Sequence, residues 1–343
     1  MRKLLNTLYV TMPDAYLARD GENVLIKTDN EIKFRVPVHN LEGIVCFGFA
    51  GASPGLMHLC CERGVALSFL TEYGKFMGRV TGKVSGNILL RKKQYQWTEN
   101  DAITVRLAKR FILAKIINSR AVLHRAVRDH RQIVDTILLK DIMNDMAIMA
   151  RQLDKANNLN VVRGLEGQAA SLYFTGFDQL ILNQKQTFRM AERNRRPPLD
   201  PINALLSFLY TLLTYEVVAA LESIGLDPQA GFLHRDRPGR QSLALDVMEE
   251  LRPHFADRLA VTLINRNQID PNGFIIKENG AVVMEDKTRK DVLIAWQKRK
   301  QEEIRHPFLE EKVSLGLVPY IQSMLLARHI RGDLEDYPPF FWK

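Results

Sequence analysis

The stretch DAITVRLAKRFILAKIINSRAVLHRAVRDHR, residues 101–131, is where the chain changes its period. Ile112 with Ile116 and Leu123 with Val127 stand four residues apart, one above the other on a helix face. Arg106, Lys109, Arg110, Lys115, Arg120, Arg125, Arg128 and Arg131 populate the rest. The pattern predicts a long, basic, amphipathic helix or helix pair. Asp129 is the only acid between Arg106 and Arg131. Solvated helices ordinarily mix signs to gain i, i+4 pairs, so two readings stand side by side: a plain solvated face, and a contact surface for nucleic acid or another partner.

Upstream of this stretch the period is that of strands. LYVT, AYLARDGENVLIKTD with its Asp-Gly turn, IKFRVPV and GIVCFGF carry β-branched and aromatic residues between turn signals. One helix interrupts them: in SPGLMHLCCERG, Ser53 is a cap, Pro54 fits the first helical position and Gly64 is a stop. Strand character then returns in VALSFL and KFMGRVTG. Downstream, Asp200 and Pro201 open the apolar helix INALLSFLYTLLTYEVVAALESIG, which Gly225 closes. Asn203, Ser207, Thr211, Thr214 and Glu216 interrupt it, so it reads as a central helix rather than a membrane span. The predicted class is α+β: a small N-terminal β-rich domain over 1–90, a linker over 91–100, and a larger all-helical domain over 101–343.

An apolar share of 46% with 25% charged residues on 343 positions excludes disorder as the default. The net charge of +9 favours a polyanionic partner. Cys46, Cys60 and Cys61 form no CxxC pair, which argues against a zinc ribbon and for reduced thiols in a cytoplasmic protein. The start MRKLLNTLYVTMPDAYL is a poor signal peptide, its apolar run broken by Asn6 and Thr7. No membrane partner is expected.

Chemistry concentrates in GFLHRDRPGRQSLALDVMEELRP, residues 231–253. On a helix beginning near Ser242, Asp246 and Glu249 are i, i+3 and Asp246 and Glu250 are i, i+4, so a carboxylate pair can share one face, and the turn before it can fold that face beside His234. Two carboxylates on one face need a cation, a proton or an arginine between them, and imidazole with carboxylate oxygens suits Mn²⁺ or Mg²⁺ better than a structural Zn²⁺. The alternative is a solvated acidic face paired by Arg235, Arg237, Arg240 or Arg252. In VVRGLEGQAASLYF, Glu166 lies between Gly164 and Gly167 inside a helix-like run, which implies either close backbone packing or a nearby ligand.

RGLEGQAASLYF, RPPLDPINALLSFLYTLL, GFLH and LALDVMEELRP, in this order and at these spacings, resemble the signature segments of the CRISPR-associated integrase family, Cas one. The β-rich start, with GIVCFGFAGASPGLMHLCCERGVALSFLTEYGKFMGRV, resembles that family's N-terminal domain, and type I systems, subtype C in particular, are nearest. The resemblance implies a metal-dependent DNA integrase and endonuclease that joins 3′-hydroxyl ends of short DNA fragments to a CRISPR repeat. By motif position it implies Glu166, His234 and Glu249 as ligands of Mg²⁺ or Mn²⁺, with Asp246 as a further catalytic acid; many members carry Asp where Glu249 stands, leaving Glu249 and Glu250 to be told apart. Arg163, Asn203, Ser207 and Tyr210 resemble positions near the DNA end, a buried packing role being the alternative for Asn203 and Tyr210.

The segments 106–131, 185–196 and 287–300, including Arg189, Arg193 and Lys298, are the candidates for phosphate contacts. Lys298, Arg299 and Lys300 form a second basic cluster. The implied partners are double-stranded DNA, a second copy in a homodimer through the N-terminal domain, and a small companion, Cas two, in a heterohexamer. Two rival readings remain: a stand-alone nuclease acting on branched DNA or RNA, and a basic DNA-binding scaffold in which Glu166, His234 and Glu249 never meet.

Overall fold

The computed structural model describes residues 6–12, 14–29, 31–82, 88–234 and 236–342. Its N-terminal part holds two four-stranded sheets. Strands β1 (Thr7–Val10), β5 (Gly43–Phe47), β7 (Ala66–Leu70) and β8 (Phe76–Val80) form one, in the order β1-β5-β7-β8. The other has the order β4-β3-β2-β6, from β2 (Tyr16–Asp20), β3 (Asn23–Thr28), β4 (Glu31–Pro37) and β6 (Gly51–Ala52). β5 and β7 run parallel, which requires a crossover, and helix α1 (Pro54–Arg63) provides it. Its punctuation is the one read from sequence: Ser53 accepts from the Leu56 amide, Pro54 opens the helix, and Gly64 takes the left-handed conformation at φ 64° that stops it. Leu17, Ile26, Ile44, Leu56 and Leu59 fill the core of this part. β4 is an edge strand whose Ile32 and Phe34 are exposed.

The remainder is helical: α2 (Ile88–Thr98), α3 (Asp101–Asp129), α4 (Thr136–Lys155), α5 (Leu159–Phe177), α6 (Pro201–Ile224), α7 (Ser242–Glu249), α8 (Arg258–Asn265), α9 (Asp286–Gln301) and α10 (Val318–Arg331). Two small hairpins, β9 (Phe274–Ile276) with β10 (Val282–Met284) and β11 (Glu303–Arg305) with β12 (Lys312–Ser314), decorate it. The predicted α+β class is therefore the class observed, but the larger part is not all-helical as expected, because these two hairpins lie within it. The stretch 91–100, read as a linker, is instead mostly helix α2. Its Gln94 is fully buried and exchanges hydrogen bonds with the Asp227 backbone at 2.8 and 2.9 Å, so α2 is docked on the helical body rather than spanning a gap.

The stretch 101–131 forms one 29-residue helix, α3, capped by the Asn100 side chain. It is a central helix, packed against α4, α5 and α7. Several of its basic residues are accordingly spent within the protein: Arg110 pairs with Asp336, the Arg120 Nε donates to the Met143 carbonyl at 2.8 Å, and Lys109 reaches the Asp154 carbonyl at 2.7 Å. Arg125, Arg128 and Arg131 near its end are exposed. Helix α6 opens on Asp200 and Pro201 and closes at Gly225, φ 96°. It is long and apolar enough to cross a membrane, yet Leu205, Leu209, Leu213, Val217 and Leu221 are fully buried against neighbouring helices. Each such side chain contributes roughly 1.5–3 kcal/mol.

Of the cluster at 298–300, Lys298 is exposed, while Lys300 is buried between the Glu216 carboxylate at 2.6 Å and the Thr7 hydroxyl at 3.1 Å, tying β1 to α6 and α9. Arg299, also buried, donates to the His254 carbonyl at 2.6 Å.

Candidate metal centre

Three helices deliver one lysine and two acids to one place. α3 carries Lys115, α5 carries Glu166, and the end of α7 carries Glu249. Lys115 is only 8% exposed and lies between the two carboxylates: its ammonium bonds Glu166 Oε1 and sits 2.7 Å from Glu249 Oε2, an ion pair whose angles fall outside hydrogen-bond geometry. Arg252 approaches the other oxygen, Nη1 to Glu249 Oε1 at 3.0 Å. This arginine was one of those considered as a partner for the acids; Arg235, another, lies outside the described residues.

Burial alone would raise the Glu249 carboxyl, but the charges of Arg252 and Lys115, aided by nearby His234, hold it well below the usual range. Burial likewise pulls Lys115 toward neutrality, and Glu249 and Glu166 outweigh it. Glycines 164 and 167 leave the flanks of Glu166 open: a methyl group at either would meet nothing within 4 Å.

His234 is set by a different acid. Asp246, with no exposed surface, accepts the Phe232 and Leu233 amides on Oδ2 at 2.6 and 2.9 Å, and the His234 amide on Oδ1 at 3.0 Å. The same Oδ1 lies 2.6 Å from His234 Nδ1. An imidazole whose Nδ1 is bound to a carboxylate offers Nε2 to an ion, and its ring orientation is fixed. Asp246, which the family resemblance implies as a further catalytic acid, spends its carboxylate here on three backbone amides and the His234 ring. Gly231 is required here, because a Cβ would lie 2.7 Å from the Ser242 backbone and 2.9 Å from Asp246 Oδ2. Arg163 braces the same turn, its Nε donating to the Leu233 carbonyl at 2.7 Å.

Glu250 faces away. Its carboxylate accepts the Tyr337 hydroxyl, the Gln322 amide at 3.2 Å and the Phe340 backbone amide at 2.8 Å, and burial pushes it up to about 7 against those hydrogen bonds. Adjacent positions on a helix point roughly 100° apart, which is how one acid joins Lys115 and its neighbour anchors the C-terminal segment.

Among the described residues no three His, Cys, Asp or Glu side chains are already gathered closely enough to hold an ion. The gap between the two carboxylates is filled by Lys115. The donor set nonetheless fits a hard divalent cation: two carboxylates drawn to a single positive charge, with an oriented imidazole beside them. Lys115 itself went unsingled in the sequence, although it stands in phase with Phe111, Ile112 and Ser119 on the buried stripe of α3, where a charged residue is anomalous.

Of the residues proposed for DNA, Arg189 and Lys298 are exposed. Asn203 is fully buried and holds the loop before α6, accepting from Arg193 Nη1 at 2.6 Å and donating to the Glu192 carbonyl at 2.8 Å. Arg193, half-buried, also reaches the Ser207 hydroxyl at 3.2 Å and stacks on Tyr210 at 5.4 Å. Tyr210 donates to Asp257 Oδ1 at 2.7 Å, and Arg252 lies 4.9 Å over its ring, so this cluster braces the arginine that touches Glu249. Tyr173 donates to the other oxygen of Asp257 at 3.1 Å.

Burial raises the Asp257 carboxyl to about 6, against the tyrosine hydrogen bonds and the charges of Arg252 and Arg193. An acid whose folded pKa lies above its unfolded value binds its proton more tightly when folded, so stability falls as pH rises from about 4 to about 6. Asp257→Asn should flatten that part of the profile and leave the melting temperature at pH 8 equal or higher. Thermal melts between pH 4 and 8 check this; an unchanged slope would show that Asp257 does not titrate there.

Comparison with known proteins identifies the family. The family model described as CRISPR associated protein Cas1 matches residues 8–298. CRISPR-associated endonuclease Cas1 1 of Chlorobaculum tepidum is 51% identical over 343 residues, covering all of both chains, and CRISPR-associated endonuclease Cas1 2 of Rhodospirillum rubrum is 52% identical over 347 residues, again covering both fully. Among solved structures, a Cas1 protein from Thermotoga maritima superposes with a TM-score of 0.81 at 22% identity, covering 95% of this chain and 97% of that one. A casposase bound to its integration product superposes at 0.82 and 22%, covering 96% and 92%. At that identity the structural likeness speaks for the fold, and the sequence relatives speak for the family. The chain belongs to the CRISPR-associated Cas1 family.

Proposed function

We propose that the protein is a metal-dependent DNA integrase and endonuclease of CRISPR spacer acquisition, joining the 3′-hydroxyl of a short DNA fragment to a phosphodiester at the edge of the repeat. One observation carries the reading: Glu166 and Glu249, more than eighty positions apart, are held at a single buried positive charge, and Asp246, on the same helix as Glu249, holds His234. Glu166, His234 and Glu249 would hold Mg²⁺ or Mn²⁺, which when bound supplies charge to a phosphate oxygen and lowers the pKa of an attacking hydroxyl.

The protein's own groups do the rest. Asp246 fixes the imidazole, and Arg252, braced on Tyr210, adds positive charge where a phosphodiester would approach. Arg189, Lys298 and the exposed end of α3 are positioned to hold backbone phosphates without reading bases. Solved structures described as Cas6-RT-Cas1–Cas2 complexes support a companion of the Cas2 kind; its bridging of dimers formed through the β-rich part is what the family resemblance implies.

Incubating the protein and its companion with Mn²⁺ or Mg²⁺, a fragment with free 3′-hydroxyls and a repeat-bearing plasmid tests this. Joined product that chelator removes is expected. Cutting without joining would favour a stand-alone nuclease, and intact DNA binding with neither would leave a scaffold.

A further inference from the structure

Between α3, α5 and α7 the acids are already paired with cations of the protein itself. Two carboxylates, Glu166 and Glu249, face two cations, Lys115 and Arg252. Asp246 and His234 form a separate pair behind them. The carboxylates are the ion-pair partners of Lys115, which is buried on a helix in the middle of the protein. A divalent ion taking oxygens from both acids would add two positive charges and strip this ammonium of its counter-charges. In a site of low polarity, an ammonium left without an acceptor is strongly unfavourable. A phosphodiester changes the sum, because it brings a negative charge and two non-bridging oxygens that can take over the ammonium.

We propose that Lys115 is a resident counter-ion that makes capture of the divalent cation conditional on nucleic-acid phosphate: without DNA it keeps Glu166 and Glu249 for itself, and with DNA it passes to the backbone and releases them. The inference rests on the reading of Glu166, His234 and Glu249 as ligands. It has a reciprocal consequence, since linkage requires the ion to tighten DNA binding by the same factor that DNA tightens the ion's. It also gives the site a safeguard, because an enzyme able to cut DNA is not charged with metal until its substrate is in place.

The test is an Mn²⁺ titration of the full chain read by loss of the free-ion paramagnetic resonance signal, with and without a short duplex, and with the duplex alone subtracted. Wild type should bind Mn²⁺ weakly alone and about ten- to hundredfold more tightly with DNA. Lys115→Met should bind tightly alone and gain less than about threefold from DNA, whereas Lys115→Arg, which keeps the charge, should retain the coupling. The metal-free Lys115→Met protein should also melt lower than wild type and recover with Mn²⁺. Weak metal binding by a folded Lys115→Met, or coupling that survives in it, overturns the proposal. Glu166→Gln separates the two readings: it should weaken Mn²⁺ binding in both the wild-type and Lys115→Met backgrounds, and no loss in either would mean that the ligand assignment itself had failed.

Discussion

Glu166→Gln and Glu249→Gln should each lower DNA joining by at least about 10²–10³-fold, the scale for losing a charged group that stabilises a transition state, while Glu250→Gln leaves joining within a few-fold of wild type. In Glu249→Gln the one acceptor oxygen can face Arg252 while Lys115 keeps Glu166, and in Glu166→Gln Lys115 keeps Glu249, so neither cation is left bare and the variants should remain folded, with a lowered melting temperature. The contrast between neighbours follows from their partners: Glu249 meets Lys115 and Arg252, whereas Glu250 meets Tyr337, Gln322 and Phe340. A joining assay beside circular-dichroism melts reads both arms. An active Glu249→Gln beside a folded but dead Glu250→Gln would reverse the assignment.

Asp246→Asn should be nearly as damaging, through two routes. Each carboxylate oxygen accepts at least two bonds, Oδ2 from the Phe232 and Leu233 amides and Oδ1 from the His234 amide and ring. Whichever side the new amide nitrogen takes, it faces a backbone donor. Hydrogen bonds to charged groups contribute about 1.5–3 kcal/mol each, so a loss near 3 kcal/mol is expected in urea denaturation. The second route is chemical: if the ring turned to accept from that amide on Nδ1, its proton would move to Nε2, the nitrogen meant for the ion. Loss of such an orienting partner typically lowers metal affinity about 10- to 100-fold, which calorimetry with Mn²⁺ would measure. Wild-type affinity in a folded Asp246→Asn would refute the positioning role.

Much of the architecture is legible from short-range chemistry. Ser53, Pro54 and Gly64 around α1, and Asp200, Pro201 and Gly225 around α6, each satisfy or terminate a helix end by local geometry alone, and the structure puts the ends there. The segment 91–100 misleads because its apolar residues are few, and its docking relies on polar bonds such as those of Gln94 that no periodicity reveals. The candidate centre is less legible for the same reason. Sequence order and family likeness point to Glu166, His234 and Glu249, but the cation between two of them comes from a third helix. Lys115 reads by type as one more residue of a basic run, and only its phase with the buried stripe of α3 hints at what packing does to it. Glu249 and Glu250 are likewise indistinguishable by type, and become distinct once the C-terminal segment returns to claim one of them.

The placement of the candidate centre also bears on how this protein can change over time. Its acids, its histidine and its resident lysine all come from helices and turns after residue 100, and the β strands of the N-terminal part contribute none of them. The exposed edge strand carrying Ile32 and Phe34 can therefore drift, acquiring or losing affinity for a neighbour, while the chemistry stays tuned. The strands that face the helices are tied to them: the Thr7 hydroxyl of β1 meets buried Lys300, and Arg79 of β8 pairs with Glu222 of α6. Variation on β4 should leave the fold and the chemistry in place, and variation on β1 or β8, where the two parts are tied together, should be inherited as altered folding.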